Sequence, residues 1–115
     1  MPAGIYNFTC EQGTTFLRDI EVTNFDDTIR DLTGYTARMQ VRRDMEASSA
    51  LIELTTENGR MQILSALGTV SLVISATDTA ALTQGGIYDL EIMNNDGAVE
   101  RLLQGNFNLD ENVTT

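Results

Sequence analysis

The sequence contains no histidine, no tryptophan and no lysine, and it has one cysteine and one proline in 115 residues. Without histidine, no mechanism that uses imidazole as a base or a metal ligand is available. Without lysine, there is no Schiff-base nucleophile and no phosphate-binding lysine. The lone Cys10 excludes an internal disulfide and a thiolate zinc site, and we expect it to be a small buried hydrophobic residue.

Positive charge is also scarce. The chain has 17 acidic residues and 7 arginines, which gives a formal net charge of −10. Such a chain repels nucleic acid and anionic lipid, whose binding needs clustered positive charge. No apolar run approaches the roughly 18 residues of a membrane span. The first residues lack the pattern of a signal peptide. We therefore expect neither nucleic acid nor membrane as a partner, and a protein that folds in the cytoplasm where it is made.

Carboxylates are the remaining groups that could do chemistry. The pairs that a glycosidase-like mechanism would use are Asp89 with Glu91 and Glu53 with Glu57. A catalytic pair needs an enclosing cleft that raises one pKa, so a solvated face is the ordinary interpretation. Asp26, Asp27 and Asp31 lie close together, but their spacing does not match a calcium-binding EF-hand loop. We predict a protein that is not an enzyme and that has no cofactor or metal.

The clearest structural signal is the stretch 31–43. Its apolar residues alternate with polar ones, as in a strand with one buried face: Tyr35, Ala37, Met39 and Val41. Gly34 completes a tight turn before the alternation begins. This pattern predicts a central strand of a sheet.

Similar short runs, bounded by turn residues, predict strands at 4–10, 15–23, 51–55, 60–64, 70–74, 88–92 and 99–109. Asn58-Gly59 predicts a hairpin joining 51–55 to 60–64, and the turn ending at Gly97 predicts a second hairpin. Ser75 or Thr77 caps one or two helical turns within 75–82. The fold class is therefore all-β, an immunoglobulin-like sandwich of seven to eight antiparallel strands with one short helical crossover. We predict a single domain over 1–115, with 110–115 as a polar tail.

Three further residues have specific predicted roles. Tyr88 follows the helical crossover and begins a strand, which is typical of a tyrosine corner, where the hydroxyl bonds to backbone a few residues upstream. Gly105 indicates a bulge or a close backbone approach. Arg18 interrupts a mainly apolar face, which indicates a sheet edge or a contact site, or else a stem that packs while its head reaches water.

The sequence also resembles a known group of proteins. The segments that carry the resemblance are 13–16 (Gly-Thr-Thr-Phe), 31–42, 54–60, 68–74, 76–82, 88–91 and 101–107. Together they resemble the N-terminal immunoglobulin-like domain of phage baseplate upper proteins, and a group of short virion proteins of tailed phages and prophages. The resemblance covers nearly the whole chain. Baseplate upper proteins carry this domain in front of a longer chain that holds receptor-binding proteins, so we expect a stand-alone adaptor here.

The resemblance implies a non-enzymatic virion protein. It would dock on other phage proteins of the tail, baseplate, connector or fibre, in several copies of a symmetric assembly. The alternative is a capsid decoration or accessory protein on the head, or a module that grips host carbohydrate weakly. We expect partner strands to add at the sheet edges, namely the first strand, 51–55 and 60–64.

Arginine residues supply the predicted contacts. Arg38, Arg42 and Arg43 form a basic patch that could bind carboxylates of a neighbouring protein. Arg18 is a further interface candidate. The alternative for the patch is internal pairing with the many acidic residues of this chain, and the sequence favours neither.

Overall fold

The computed structural model describes residues 4–24 and 26–111, and these residues form two packed β-sheets. The strands are β1 Gly4–Ile5, β2 Phe8–Glu11, β3 Phe16–Glu21, β4 Thr36–Arg42, β5 Ile52–Thr55, β6 Met61–Leu64, β7 Thr69–Ile74, β8 Gly86–Met93 and β9 Val99–Asp110. A 3-10 turn, Ser65–Leu67, precedes β7, and the helix α1, Ala76–Ala80, follows it. The all-β sandwich with one short helical crossover is confirmed.

The larger sheet has the order β1-β9-β8-β4-β5, with β2 also paired to β9, and the smaller sheet has the order β3-β7-β6. Pairing is antiparallel except that β1 and β2 run parallel to β9. The prediction of antiparallel strands throughout is wrong at these two strands. Parallel neighbours need a long connection, and here nearly the whole chain lies between the paired strands.

The strand predicted to be central is confirmed, since β4 lies between β8 and β5. Its residues Ala37, Met39 and Val41 are buried and alternate with more exposed polar residues. Both sheets contribute such faces to one core. Its largest fully buried side chains are Phe8, Phe107, Leu32, Met39, Leu54, Met61, Leu72, Ile74, Leu90 and Ile92. Cys10 is also buried, as predicted, and burial raises the pKa of its thiol.

The hairpin predicted around Asn58-Gly59 is wrong. β5 pairs with β4 in the larger sheet, whereas β6 pairs with β7 in the smaller one, so this turn crosses between sheets. Asn58 Oδ1 accepts hydrogen bonds from the backbone N–H groups of Thr55 and Arg60, each at 3.0 Å. An Asn-Gly turn favours a reversal of the chain but does not decide whether its two arms pair with each other.

Other local predictions are confirmed. Ser75 caps α1, because its hydroxyl accepts from the backbone N–H of Asp78 at 3.1 Å. The turn at Gly97, which has φ of 86°, joins β8 to β9 as a hairpin. Gly34 has φ of 81° in the turn that precedes β4. In the predicted tail, Asp110 ends β9, and residues 112–115 lie outside the described residues.

Gly105 is a point of close backbone approach rather than a bulge. A Cβ atom at this position would overlap the carbonyl oxygen of Tyr6. The register shift in β9 lies instead between Arg101 and Leu103, which makes Leu102 the extra residue. The absence of a side chain at Gly105 therefore lets the N-terminal segment pass over β9.

The prediction of a tyrosine corner at Tyr88 is wrong about which backbone group the hydroxyl bonds. The buried hydroxyl donates to the carbonyl oxygen of Tyr6 at 2.6 Å, 82 positions away in sequence, and not to backbone just upstream. The reason is the register, in which Tyr88 lies opposite Gly105, where Tyr6 approaches. The ring packs on Phe8 with 5.0 Å between centroids. Tyr88 thus attaches the first segment of the chain to the larger sheet.

The helix α1 is attached to the loop after β2 by one buried polar side chain. Thr79 is completely buried, and its hydroxyl donates to the carbonyl oxygen of Thr14 at 2.7 Å. The same oxygen accepts from the backbone N–H of Gly13 at 3.0 Å. This bridge closes one end of the sandwich.

Candidate protein interface

The predicted basic patch lies on the outer face of the larger sheet and at the end of β4. Arg38 forms an ion pair with Glu91 at 2.8 Å, and Arg43 pairs with Asp44 at 3.3 Å. Arg42 donates to the side-chain oxygen of Gln40 and to the backbone carbonyl of Ala47. All three arginines therefore have partners within their own chain, which is the internal alternative. Contact with a neighbouring protein stays a prediction for them.

These surface pairs do not by themselves prevent a partner from binding. The Arg38 side chain is 57% exposed, and exposed ion pairs contribute only about 0.2–1 kcal/mol. On the neighbouring strand, Arg101 lies 3.6 Å from Asp89. On the outer face of the larger sheet, positive and negative side chains therefore largely pair with each other.

Arg18 lies on β3, an edge strand of the smaller sheet, as one of its two interpretations predicted. Its guanidinium lies over the Phe16 ring, 4.5 Å from the centroid. It also donates to the carbonyl oxygen of Leu17 at 2.7 Å and to that of Thr9, on β2 in the other sheet, at 3.1 Å. Arg18 thus bridges the two sheets on one open side of the sandwich.

The three strands predicted to be edges do lie at edges, and so does β3. The outer edge of β5 is covered by side chains. Asn58 binds both the N–H of Thr55 and the carbonyl oxygen of Glu53, and Arg60 donates to the same Glu53 oxygen at 3.0 Å. A partner strand would have to displace these bonds, so β5 is a poor place for strand addition.

The edge of β9 is different. β1 pairs with β9 at residues 103–104 and β2 at 107–110. Among residues 4–24 and 26–111, no strand pairs at 99–102 with the edge of β9 that faces away from β8. The N–H of Asn94 donates to the carbonyl oxygen of Ala98 at 3.0 Å. Because hydrogen-bonded pairs alternate in an antiparallel ladder, the backbone groups of Val99 and Arg101 point away from β8 toward this open edge.

A groove of about 580 Å³ runs beside this edge, between β9 and the end of β3. Half-buried apolar side chains line it: Ile20, Tyr35, Leu102 and Leu103. A second cavity of about 300 Å³ shares Ile20 and Leu103 with it and extends to Tyr6 and Arg18. The two form one channel along the open side of the sandwich, which we call the β3/β9 groove.

Charged side chains surround the apolar floor of the β3/β9 groove. Arg30 and Glu100 cross it as an ion pair at 2.8 Å, and hydrogen bonding to Glu100 is the main cause of the raised pKa of Arg30. Glu21 and Asp27 also line the groove. Two acidic groups therefore remain beyond the one that Arg30 neutralises. In the second cavity Arg18 and Asp19 offset each other, so the groove as a whole has a negative local charge.

Apart from Asp27, the acidic residues considered for chemistry lie outside the β3/β9 groove. Asp26 and Asp31 each accept hydrogen bonds from the N–H and hydroxyl of a threonine two positions on, Thr28 and Thr33, which lowers both carboxyl pKa values. They act as turn residues. Among the described residues, no group of three or more potential metal-ligating side chains of Asp, Glu, His or Cys is found.

One feature of the sequence indicates the β3/β9 groove. Two adjacent leucines, Leu102 and Leu103, break the strict alternation of the last strand, and such a break is typical of a bulge near a functional edge. The alternation of apolar residues predicts that Ile20 and Tyr35 lie on apolar faces of their strands. Their position at the open side of the sandwich follows from the sheet order alone.

Comparison with known proteins does not identify the chain. No family model matches it. No curated protein matches it either. No helix among the described residues is long and apolar enough to cross a membrane.

Proposed function

We propose that this protein is a non-enzymatic structural component of a bacteriophage virion. It acts as a small adaptor of the tail, the baseplate or the tail-fibre attachment region, and it works by docking to other virion proteins. The sequence resemblance described above supports the phage assignment. The observation that supports docking is the β3/β9 groove, where an apolar floor adjoins backbone groups of β9 that point outward.

A second protein can supply backbone hydrogen bonds to an open strand edge, and it can cover a half-buried apolar strip. Val99, which lines the groove, is 47% exposed. Covering such side chains contributes about 25 cal/mol for each Å² of apolar surface removed from water. The net charge of −10 would keep free copies soluble before assembly and would favour a basic partner surface.

The test is the position and copy number of the chain in particles of the phage that encodes it. Heads and tails are separated, and the protein is quantified on gels against the major capsid and tail-tube proteins. We expect it with the tails, at a multiple of three or six copies for each particle. Hundreds of copies on isolated heads would overturn the adaptor role and favour capsid decoration. Absence from both fractions would overturn the virion assignment.

A further inference from the structure

We propose that the β3/β9 groove binds an extended, basic segment of a partner protein, which adds as a strand to the edge of β9 at residues 99–102. This inference rests on the proposed function and specifies the docking site and the chemistry of the partner. A segment in this position would continue the larger sheet past β9, on the side where β1 ends.

The backbone of β9 supplies the first part of the argument. Val99 and Arg101 present outward-facing N–H and carbonyl groups, and these are the groups a ladder needs. About four residues of an added strand would cover 99–102, at roughly 3.3 Å for each residue. The edge of β5 is less open, because Asn58 and Arg60 bond two of its outward groups, the Thr55 N–H and the Glu53 carbonyl oxygen.

The groove supplies the second part. Side chains of an added strand alternate between the two faces of the sheet. Those on the inner face would enter the space above Ile20, Tyr35 and Leu103, which suits apolar side chains of moderate size. We therefore expect an apolar residue at every second position of the partner segment.

Charge selects the inner-face positions that flank the apolar ones. Glu21 and Asp27 line the part of the groove beside residues 99–102, and the arginine there, Arg30, is already paired with Glu100. An arginine or lysine at either end of the inner face would neutralise these acids. A second copy of this chain would instead bring together two surfaces of like charge, since each copy carries a net charge of −10.

The probe is an acetylated and amidated heptapeptide, Lys-Thr-Val-Thr-Val-Thr-Lys, whose two valines and two lysines lie on one face of a strand. It is titrated into the intact ¹⁵N-labelled protein, and amide chemical shifts are followed by NMR. Two matched peptides serve as controls: one has glutamate in place of lysine, and one has its valine amides N-methylated, which blocks the ladder but keeps the charge. We expect saturable shifts and slower hydrogen exchange at Val99 and Arg101, and binding at least tenfold weaker for both controls.

Protein variants test the same site from the other side. Val99→Pro removes an outward N–H that no strand among residues 4–24 and 26–111 pairs with, whereas Val99→Thr keeps it. The first variant should therefore lose binding and the second should retain it. Proline could also disturb β9, and a second variant therefore targets only charge. Glu21→Gln with Asp27→Asn preserves size, and asparagine accepts the φ of 67° at position 27. We expect this double variant to bind about fivefold more weakly.

Equal binding of the N-methylated peptide, or shifts spread over the acidic surface, would overturn strand addition. Self-association of the free protein through the same amides would overturn the basic partner in favour of a second copy. These outcomes are separable from the proposed function. A chain that assembles into tails but ignores the peptide contradicts this inference alone, and a chain that binds the peptide but is absent from particles contradicts the virion role alone.

Discussion

Replacing Tyr88 by phenylalanine tests how the first segment of the chain is held. The change removes one hydroxyl and leaves the ring between its neighbours, so packing on Phe8 is retained. The hydroxyl belongs to a side chain that is 4% exposed and donates to the Tyr6 carbonyl oxygen at 2.6 Å. A hydrogen bond of this kind contributes about 0.5–1.5 kcal/mol net, and leaving its buried partner unsatisfied costs more.

We therefore expect Tyr88→Phe to lower the free energy of unfolding by about 1–2 kcal/mol. For a domain of this size the corresponding decrease in Tm is about 4–8 °C. Urea denaturation gives the free energy, and hydrogen exchange gives its location. The Tyr6 amide donates to the Gln104 carbonyl oxygen at 3.0 Å, and we expect it to exchange faster in the variant than amides of β4 do.

The matched control is Tyr6→Phe, which removes a hydroxyl from a neighbouring ring that is 51% exposed but keeps the Tyr6 carbonyl group. We expect it to change stability by less than about 0.5 kcal/mol. The reasoning is refuted if Tyr88→Phe is as stable as the wild type, or if the two variants lose the same stability.

The pH dependence gives an independent check. Burial raises the pKa of Tyr88 to about 12 in the folded protein, whereas the unfolded value is about 10. The neutral phenol is thus the form that the fold favours. Its contribution is complete below about pH 10 and is lost as the pH rises toward 12. The stability difference between wild type and Tyr88→Phe should therefore shrink over that interval and stay constant between pH 6 and about 9.

Substitutions in three other parts of the chain have defined outcomes in urea denaturation. Gly34→Ala and Gly97→Ala both place a side chain at positive φ, but only at Gly34 would the new Cβ overlap Asn95. We expect Gly34→Ala to cost at least about 1 kcal/mol more, with part of the loss restored by adding Asn95→Ala, and equal costs would contradict this account. Thr79→Val should cost about 1–3 kcal/mol, because a loop N–H and a loop carbonyl lose their buried partner, whereas Thr79→Ser should cost less than half as much. Hydrogen bonds from Thr33 lower the pKa of Asp31, so its contribution is present above about pH 4 and is lost on acidification. Asp31→Asn should reduce the loss of stability on acidification. An equal loss in the wild type and the variant would argue against the hydrogen bonds from Thr33 in solution.

Much of the fold was predictable because period-two alternation is a local property. The buried residues of β4, the Ser75 cap and the Gly97 hairpin each depend on side chains within a few positions of one another. Such local signals explain why most of the strands and the sandwich class could be predicted from the sequence. The predicted first strand, 4–10, is wrong in its extent, because the structure divides it into β1 and β2.

The candidate interface was less predictable because its parts are distant in sequence. The basic patch was a correct observation of composition, but the partners of Arg38 and Arg42 depend on the register of β4 with β8 and on the loop after β4. Likewise, Asn58-Gly59 indicated a reversal correctly, but whether its arms pair depends on the competing strands β4 and β7.

The sequence alone therefore determined which segments are strands, which faces are apolar and that the surface is acidic. The tertiary structure decided which edges remain open. β1 and β2 cover β9 at 103–104 and 107–110, and Tyr88 can reach Tyr6 only because Gly105 has no side chain. The β3/β9 groove exists because two edge strands from different sheets lie opposite each other, and that arrangement comes from long-range pairing rather than from local propensity.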